Sequence, residues 1–144
     1  MKRWLCKQEP DCYSWTQLEE DGQTVWDGVN NALALSHMRS MKAGDIILFY
    51  HSGKEKAIVG EMEVVSMTLE DPENPKSRPL VEVKPLKKWP IPLTLKQMKE
   101  CEDLHEWELI RISRLSVMPV SAAHWKLISG LVKQLQAEAK AKKK

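Results

Sequence analysis

The sequence VWDGVNN, residues 25–31, places a large aromatic ring, a carboxylate, a glycine and two amides side by side. Asp27-Gly28 is a turn signal, and Asn31 is a good N-cap for the helix-forming run that follows, residues 32–41. A second polar-aromatic cluster, FYHS at residues 49–52, ends the next apolar run. We expect these two stretches to form the rim and floor of one small binding pocket.

The chain has 144 residues, the size of one domain. We expect a single domain over residues 1–136 and a basic, disordered tail over residues 137–144. The sequence contains no apolar run of about 18 residues, so we predict no membrane helix. Charged residues follow the first methionine too soon for a signal peptide. We therefore expect a cytoplasmic protein, or a nuclear one in a eukaryotic host, without a membrane partner.

The pattern of apolar residues predicts a mainly β domain with short helices in its connections. Strands are predicted at residues 3–7, 46–50, 57–65, 80–85 and 114–120, where apolar residues alternate or run continuously. The sequence WPIPL at residues 89–93 predicts a stiff extended linker, because each proline biases the preceding residue away from helix. Gly60 inside a strand predicts a bulge or a close approach by another group. Together these features predict an α/β (α+β) domain with a mixed, barrel-like sheet.

Helix boundaries are marked by polar caps. Ser14 is expected to cap a short helix, with Gln17 completing a capping box, and Thr94 and Ser121 to begin two more. Gly44 is the predicted end of the helix that starts after Asn31. The helix after Ser121 carries one apolar face, made of Trp125, Ile128, Leu131, Val132 and Leu135.

The residues lack the signatures of common enzymes. His51 and Ser52 are neighbours on an extended segment and face opposite ways, which argues against a nucleophile–base pair. There is no Gly-x-Ser-x-Gly elbow and no phosphate-binding glycine loop. Three cysteines without a Cys-x-x-Cys pair predict neither a disulfide framework nor a zinc site. The sequence therefore predicts a protein that is not an enzyme and that has no cofactor and no metal.

A binding function fits the residues better. A planar heterocycle needs an aromatic surface and a few fixed hydrogen-bonding groups at its edge. Trp26, Phe49 and Tyr50 offer the first; Asp27, Asn30, Asn31, His51 and Ser52 offer the second. The alternatives stay open: Trp26 in the core, Asp27 as a turn residue, Asn31 as a cap and His51 in a structural role. The net charge of +2 is by itself weak evidence for a nucleic-acid partner.

Six motifs, in order along the chain, resemble those of the EVE domain family of the PUA-like superfamily. They are WLCKQEP (residues 4–10), WDGVNN (26–31), MKAGD (41–45), FYHS (49–52), IVG (58–60) and RLSVMPV (114–120), the last followed by Trp125. One departure is Asn30, where family members usually carry an arginine that could face a ligand.

The resemblance implies a PUA-like mixed β pseudobarrel with short helices packed around it and a C-terminal helix. It also implies a non-catalytic reader whose pocket receives a flipped-out modified base, a modified cytosine in DNA or else a modified base in RNA. Apart from the resemblance, we expect the protein to be a monomer. Carried onto this chain, the base-binding pocket is predicted to contain Gln8, Trp26, Asn31, Tyr50, His51 and Ser52. Lys7 and Arg114 are predicted to bind the nucleic-acid backbone. The alternative is a small-molecule or protein interaction module that uses the same barrel pocket.

Overall fold

A computed structural model describes residues 1–142. The elements, in chain order, are β1 (Arg3–Gln8), α1 (Trp15–Asp21), β2 (Thr24–Trp26), α2 (Ala32–Arg39), β3 (Ile46–His51), β4 (Ala57–Leu69), β5 (Pro79–Thr94), α3 (Leu95–Lys99), α4 (Glu108–Arg111), β6 (Val117–Val120) and α5 (Ala122–Lys142). A 3₁₀ turn, Glu102–Leu104, lies between α3 and α4. None of the helices in this part of the chain is long and apolar enough to cross a membrane.

One curled six-stranded sheet, a half-barrel, organises the fold. Its strand order is β2-β5-β4-β3-β1-β6, with β1 and β3 parallel and the other neighbours antiparallel. Every residue of β3 is buried, as expected for a continuous apolar run at the centre of a sheet. The sheet and its flanking helices confirm the predicted α+β pseudobarrel with a C-terminal helix.

An aromatic cluster joins α1, β2 and β3 inside the curl of the sheet. The Phe49 ring lies edge-on to Trp15 at 5.8 Å and to Trp26 at 5.2 Å between centroids. Gly60 of β4 lies against the same cluster, because a Cβ placed there would be 2.8 Å from both the Lys87 carbonyl oxygen and the Trp15 ring. The close approach predicted at Gly60 is confirmed, and it positions α1 on the sheet.

The predicted helix caps form, with two differences in detail. The Ser14 hydroxyl accepts from the Gln17 N–H at 3.1 Å, but the Gln17 amide turns toward Asp21 at 3.4 Å instead of completing a capping box. The helix after Asn31 ends at Arg39, so the prediction that Gly44 ends it is wrong. Gly44 lies beyond the helix in the turn before β3, with φ of 92°.

Two predicted boundaries are wrong. Residues 79–94 form the single strand β5 instead of a strand followed by a linker. Only Val81–Val83 pair with β2, so the later prolines lie where that edge of β5 is unpaired, and proline is tolerated at sheet edges. The last strand begins at Val117, because residues 114–116 form the loop before it.

The C-terminal helix is longer than predicted. The apolar face of α5 packs on the core as expected, but the helix continues to Lys142 in place of a disordered tail from residue 137. Alanines among the lysines favour helix strongly, which explains the extension. The rest of the predicted tail, residues 143–144, lies outside the described residues.

Asp45 ties the N-terminus to the turn before β3. Its buried carboxylate accepts the Lys2 N–H, the Trp4 indole N–H and the Lys42 N–H, each at 3.0 Å. Burial acts to raise the pKa of this carboxyl, but the three hydrogen bonds outweigh it and hold the pKa below its ordinary value. The motif MKAGD therefore has a structural role here, away from any pocket that Trp26 lines.

Candidate functional site

A concavity of about 440 Å³ lies where the end of β1, the segment before α1 and the turn after β2 meet. We call it the β1–β2 pocket; its lining residues are Gln8, Cys12, Tyr13, Thr24, Val25, Trp26, Asp27 and Gly28. Its volume is in the range of small-ligand sites. It contains the first part of the sequence VWDGVNN and one residue of WLCKQEP.

The aromatic side of the pocket is made by Tyr13 and Trp26. Their rings meet edge to face, at 6.4 Å between centroids and 89° between planes. Trp26 is only 4% exposed and also packs against Phe49, so little of its ring is open to the pocket. Its indole N–H is buried and has no hydrogen-bond partner among the described residues.

The polar side of the pocket is made by Gln8 and Asp27. The Gln8 side-chain oxygen accepts the Glu9 N–H at 3.1 Å, which leaves the two N–H groups of its amide to donate. Asp27 is exposed, and its carboxylate takes part in none of the hydrogen bonds within residues 1–142. The pocket therefore offers one strong acceptor and one amide donor.

Tyr13 is fixed as a neutral wall. Its hydroxyl donates to the Asp21 carboxylate at 2.7 Å. Burial, aided by that hydrogen bond, raises the pKa of Tyr13 to about 12. The phenol is therefore a donor toward Asp21 at all ordinary pH values.

The turn after β2 is held from two sides. Gly28 has φ of 78°, a conformation that favours glycine and lets the chain leave β2 at the pocket rim. Arg78 donates to the Val29 carbonyl at 2.8 Å, and Asn31 accepts the Ala34 N–H at 3.0 Å to begin α2. Asn31 thus acts as the helix cap, and its side chain does not line the pocket.

His51 holds the start of α1. Its Nε2 accepts the Trp15 N–H at 3.1 Å, and its Nδ1 lies 2.6 Å from the Glu55 carboxylate. Accepting at Nε2 requires the neutral tautomer in which Nδ1–H donates to Glu55. Both ring nitrogens are engaged within the chain, so neither is free for the predicted contact with a base edge.

The other residues of the FYHS motif do not line the pocket. Tyr50 is 3% exposed, and burial raises its pKa to about 12. The Ser52 N–H donates to the Gln8 carbonyl at 3.0 Å, which extends the parallel pairing of β1 with β3. Of the six predicted base contacts, Gln8 and Trp26 line the pocket; Asn31, Tyr50, His51 and Ser52 do not.

Of the two predicted backbone contacts, Lys7 lies beside Tyr50 and Arg114 lies in the loop before β6. The Lys7 ammonium donates to the Ser113 carbonyl at 2.9 Å and lies 5.7 Å from the centre of the Tyr50 ring. Burial lowers the pKa of Lys7. Arg114 follows Ser113 in the same loop and is exposed. Arg114 is therefore open to a phosphate, whereas Lys7 already has a partner.

The sequence did not predict that Cys12, Tyr13 and Thr24 line the pocket. Tyr13 follows the WLCKQEP motif after a break, and nothing in its spacing indicates that it folds back onto Trp26. Within residues 1–142 there is no group of three or more His, Cys, Asp or Glu side chains placed to hold a metal ion.

The chain matches the model of the EVE domain over residues 2–131. The chain belongs to the EVE domain family. This confirms the family resemblance of the six motifs and, with the curled sheet, the PUA-like fold.

Three matches place this EVE domain among its relatives. Human thymocyte nuclear protein 1 is 36% identical over 80 residues, which are 47% of this chain and 36% of the human protein. The NMR structure of Rpa0253 from Rhodopseudomonas palustris is 36% identical, with a TM-score of 0.84, 94% of this chain covered and 95% of the other. A crystal structure of human THYN1 in complex with DNA containing 5-methylcytosine is 26% identical, with a TM-score of 0.81 and coverage of 92% and 98%. The matched region thus spans about a third of the full human protein.

Proposed function

We propose that this EVE domain is a non-catalytic reader that binds a modified cytosine in DNA as a flipped-out base in the β1–β2 pocket. The observation that carries the proposal is the pairing, in one concavity, of an unengaged Asp27 carboxylate with the free amide donors of Gln8. The relative human THYN1, crystallised with 5-methylcytosine DNA, supports the same class of ligand.

The two polar groups complement the edge of cytosine. Cytosine presents an exocyclic amine that donates, and carboxylates accept from that amine. The Gln8 amide is complementary to the acceptors beside it on the Watson–Crick edge, which is the edge that flipped bases present. Thymine places an acceptor, O4, where cytosine has the amine, and that oxygen would face the Asp27 charge. The pocket therefore favours cytosine over thymine.

The rings of Tyr13 and Trp26 provide an apolar boundary for a group at C5 of the base. Contact with carbon atoms there would stabilise a bound C5 methyl group, as apolar contacts stabilise the thymine methyl in other protein–DNA complexes. Extruding a base costs a few kcal/mol, so contacts to the backbone must add affinity. Arg114 is the candidate for such a contact because it is exposed on the loop that Lys7 anchors.

The test compares three otherwise identical duplex oligonucleotides that carry cytosine, 5-methylcytosine or thymine at one mismatched position, by fluorescence anisotropy. Thymine and 5-methylcytosine both carry the C5 methyl, so their difference isolates the exocyclic group. The wild type should prefer 5-methylcytosine over both. Asp27→Asn should reduce the preference over thymine by about 10- to 100-fold, since one base contact of this kind is worth about 1–3 kcal/mol.

Glu20→Gln is the matched control, because it removes an exposed carboxylate on α1 outside the pocket. It should keep the wild-type preference. Equal affinity of the wild type for all three oligonucleotides would overturn the proposal. Equal affinity for the free nucleoside and for the oligonucleotide would favour the small-molecule module instead.

A further inference from the structure

A second concave surface runs along α5, where residues of the segment 97–106 face the helix. Two adjoining concavities, of about 1130 and 420 Å³, share Cys101, Leu131 and Gln134 and so form one groove. We call it the α5 groove. It follows the helix from Ser121 to Glu138, a length of about 25 Å at the helical rise per residue. It shares no residue with the β1–β2 pocket.

The floor of the groove is apolar. Leu127, Leu131 and Leu135 present half-buried side chains from α5, and Leu93 closes the floor from β5. Gly130 lies on the same stretch of helix, and a Cβ added there would meet no atom within 4 Å. A glycine inside a helix costs about 1 kcal/mol relative to alanine. Here it leaves open space in which a partner's backbone can approach α5.

The rim of the groove is strongly acidic. Five carboxylates line it against a single lysine, Lys126; they are Glu100, Glu102, Asp103, Glu106 and Glu138. The Glu106 side chain is 84% exposed, and its carboxylate lies 3.9 Å from Nε2 of His124. The phosphates of nucleic acid or of anionic lipid would be repelled by this rim, because like charges face one another there.

We propose that the α5 groove docks a basic amphipathic helix of a protein partner. An apolar floor of helical length takes the apolar face of such a helix, as in other helix-in-groove complexes. Lysines and arginines on the partner's flanks then meet the acidic rim, so the charges are complementary over the whole groove. This binding is independent of the base-reading function, because the two surfaces share no residue.

The experiment uses the full chain and a fluorescent 18-residue peptide with leucine at helical spacing and lysine elsewhere. A peptide with the same pattern but glutamate in place of lysine is the control for charge. The lysine peptide should bind at 50 mM salt and the glutamate peptide should not. The combined variant Glu102→Gln, Asp103→Asn, Glu106→Gln should weaken the lysine peptide at least tenfold and leave the preference for 5-methylcytosine over thymine unchanged.

Two further variants make the result specific to the groove. The first is the combined variant Glu19→Gln, Glu20→Gln, Glu73→Gln, which removes three exposed carboxylates outside the groove. It should bind the peptide as the wild type does. Gly130→Leu fills the open space with a good helix former and should abolish binding. Equal loss in both charge variants, or wild-type binding by Gly130→Leu, would overturn the proposal. The proposal would also be overturned if the chain alone sediments as a dimer and the peptide does not dissociate that dimer. A second copy of the chain would then be the occupant of the groove.

Discussion

Replacing Gly60 by alanine tests the contact that seats α1 on the sheet. The new Cβ would lie 2.8 Å from the Lys87 carbonyl oxygen and 2.8 and 2.9 Å from two carbons of the Trp15 ring. Carbon atoms in contact prefer about 3.5–4.0 Å, so the overlap is roughly 0.6 Å or more. Neither neighbour moves easily, because one is strand backbone and the other is a buried ring packed on Phe49. We expect a loss of about 2–3 kcal/mol, at the upper end of the cost of overpacking.

The assay is thermal and urea unfolding of Gly60→Ala beside Gly130→Ala. A loss of about 3 kcal/mol lowers Tm by roughly 6–12 °C in a domain of this size. Gly130 has open space around the added Cβ and lies in α5, so alanine there should raise stability by about 0.5–1 kcal/mol. The same chemical change is thus expected to have opposite signs at the two positions. A Gly60→Ala protein as stable as the wild type would refute the packing argument.

Three further predictions concern single polar groups. Asp45→Asn should lower the free energy of unfolding by about 2–3 kcal/mol, because a neutral amide cannot accept all three N–H groups. This loss should shrink below about pH 4. The pKa of Asp45 is lowered in the folded protein, so the stability that its carboxylate contributes disappears as the pH falls through that folded-state pKa. His51→Ala leaves the Trp15 N–H without a partner and should cost about 1–3 kcal/mol of stability. His51→Gln should recover part of that stability and part of the oligonucleotide affinity that His51→Ala loses. Equal losses in the two variants would argue against a positioning role for His51. Thr94→Ala removes a complete capping box and should cost about 1 kcal/mol in urea unfolding, with no change in base binding.

Local signals in the sequence predicted much of the fold. Ser14, Asn31 and Thr94 cap their helices because a side-chain oxygen three residues before a backbone N–H satisfies it without help from distant residues. The wrong predictions lie where contacts with distant parts of the chain decide the structure. The prolines in WPIPL indicate a linker by local rules, yet the unpaired edge of β5 accommodates them.

The candidate site was predicted only in part, for a related reason. Residue types suited to hydrogen bonding a base were identified in VWDGVNN and FYHS, but a sequence does not reveal which polar groups are already engaged. The His51 and Asn31 side chains already accept N–H groups at the starts of α1 and α2. Asp27, for which a turn role and a ligand role were both open, is the group left unengaged. Tyr13 reaches the pocket through a tertiary contact with Trp26.

The most direct test of the proposed site is a ¹⁵N NMR titration of the full chain with a duplex that carries one mismatched 5-methylcytosine. We expect the largest chemical-shift changes on the backbone amides of residues 8, 12–13 and 24–28 and on the unpartnered indole N–H of Trp26. We also expect that the cytosine duplex requires a higher concentration to produce the same changes. Changes concentrated on α5 with the β1–β2 pocket unperturbed, or identical titrations with both duplexes, would contradict it.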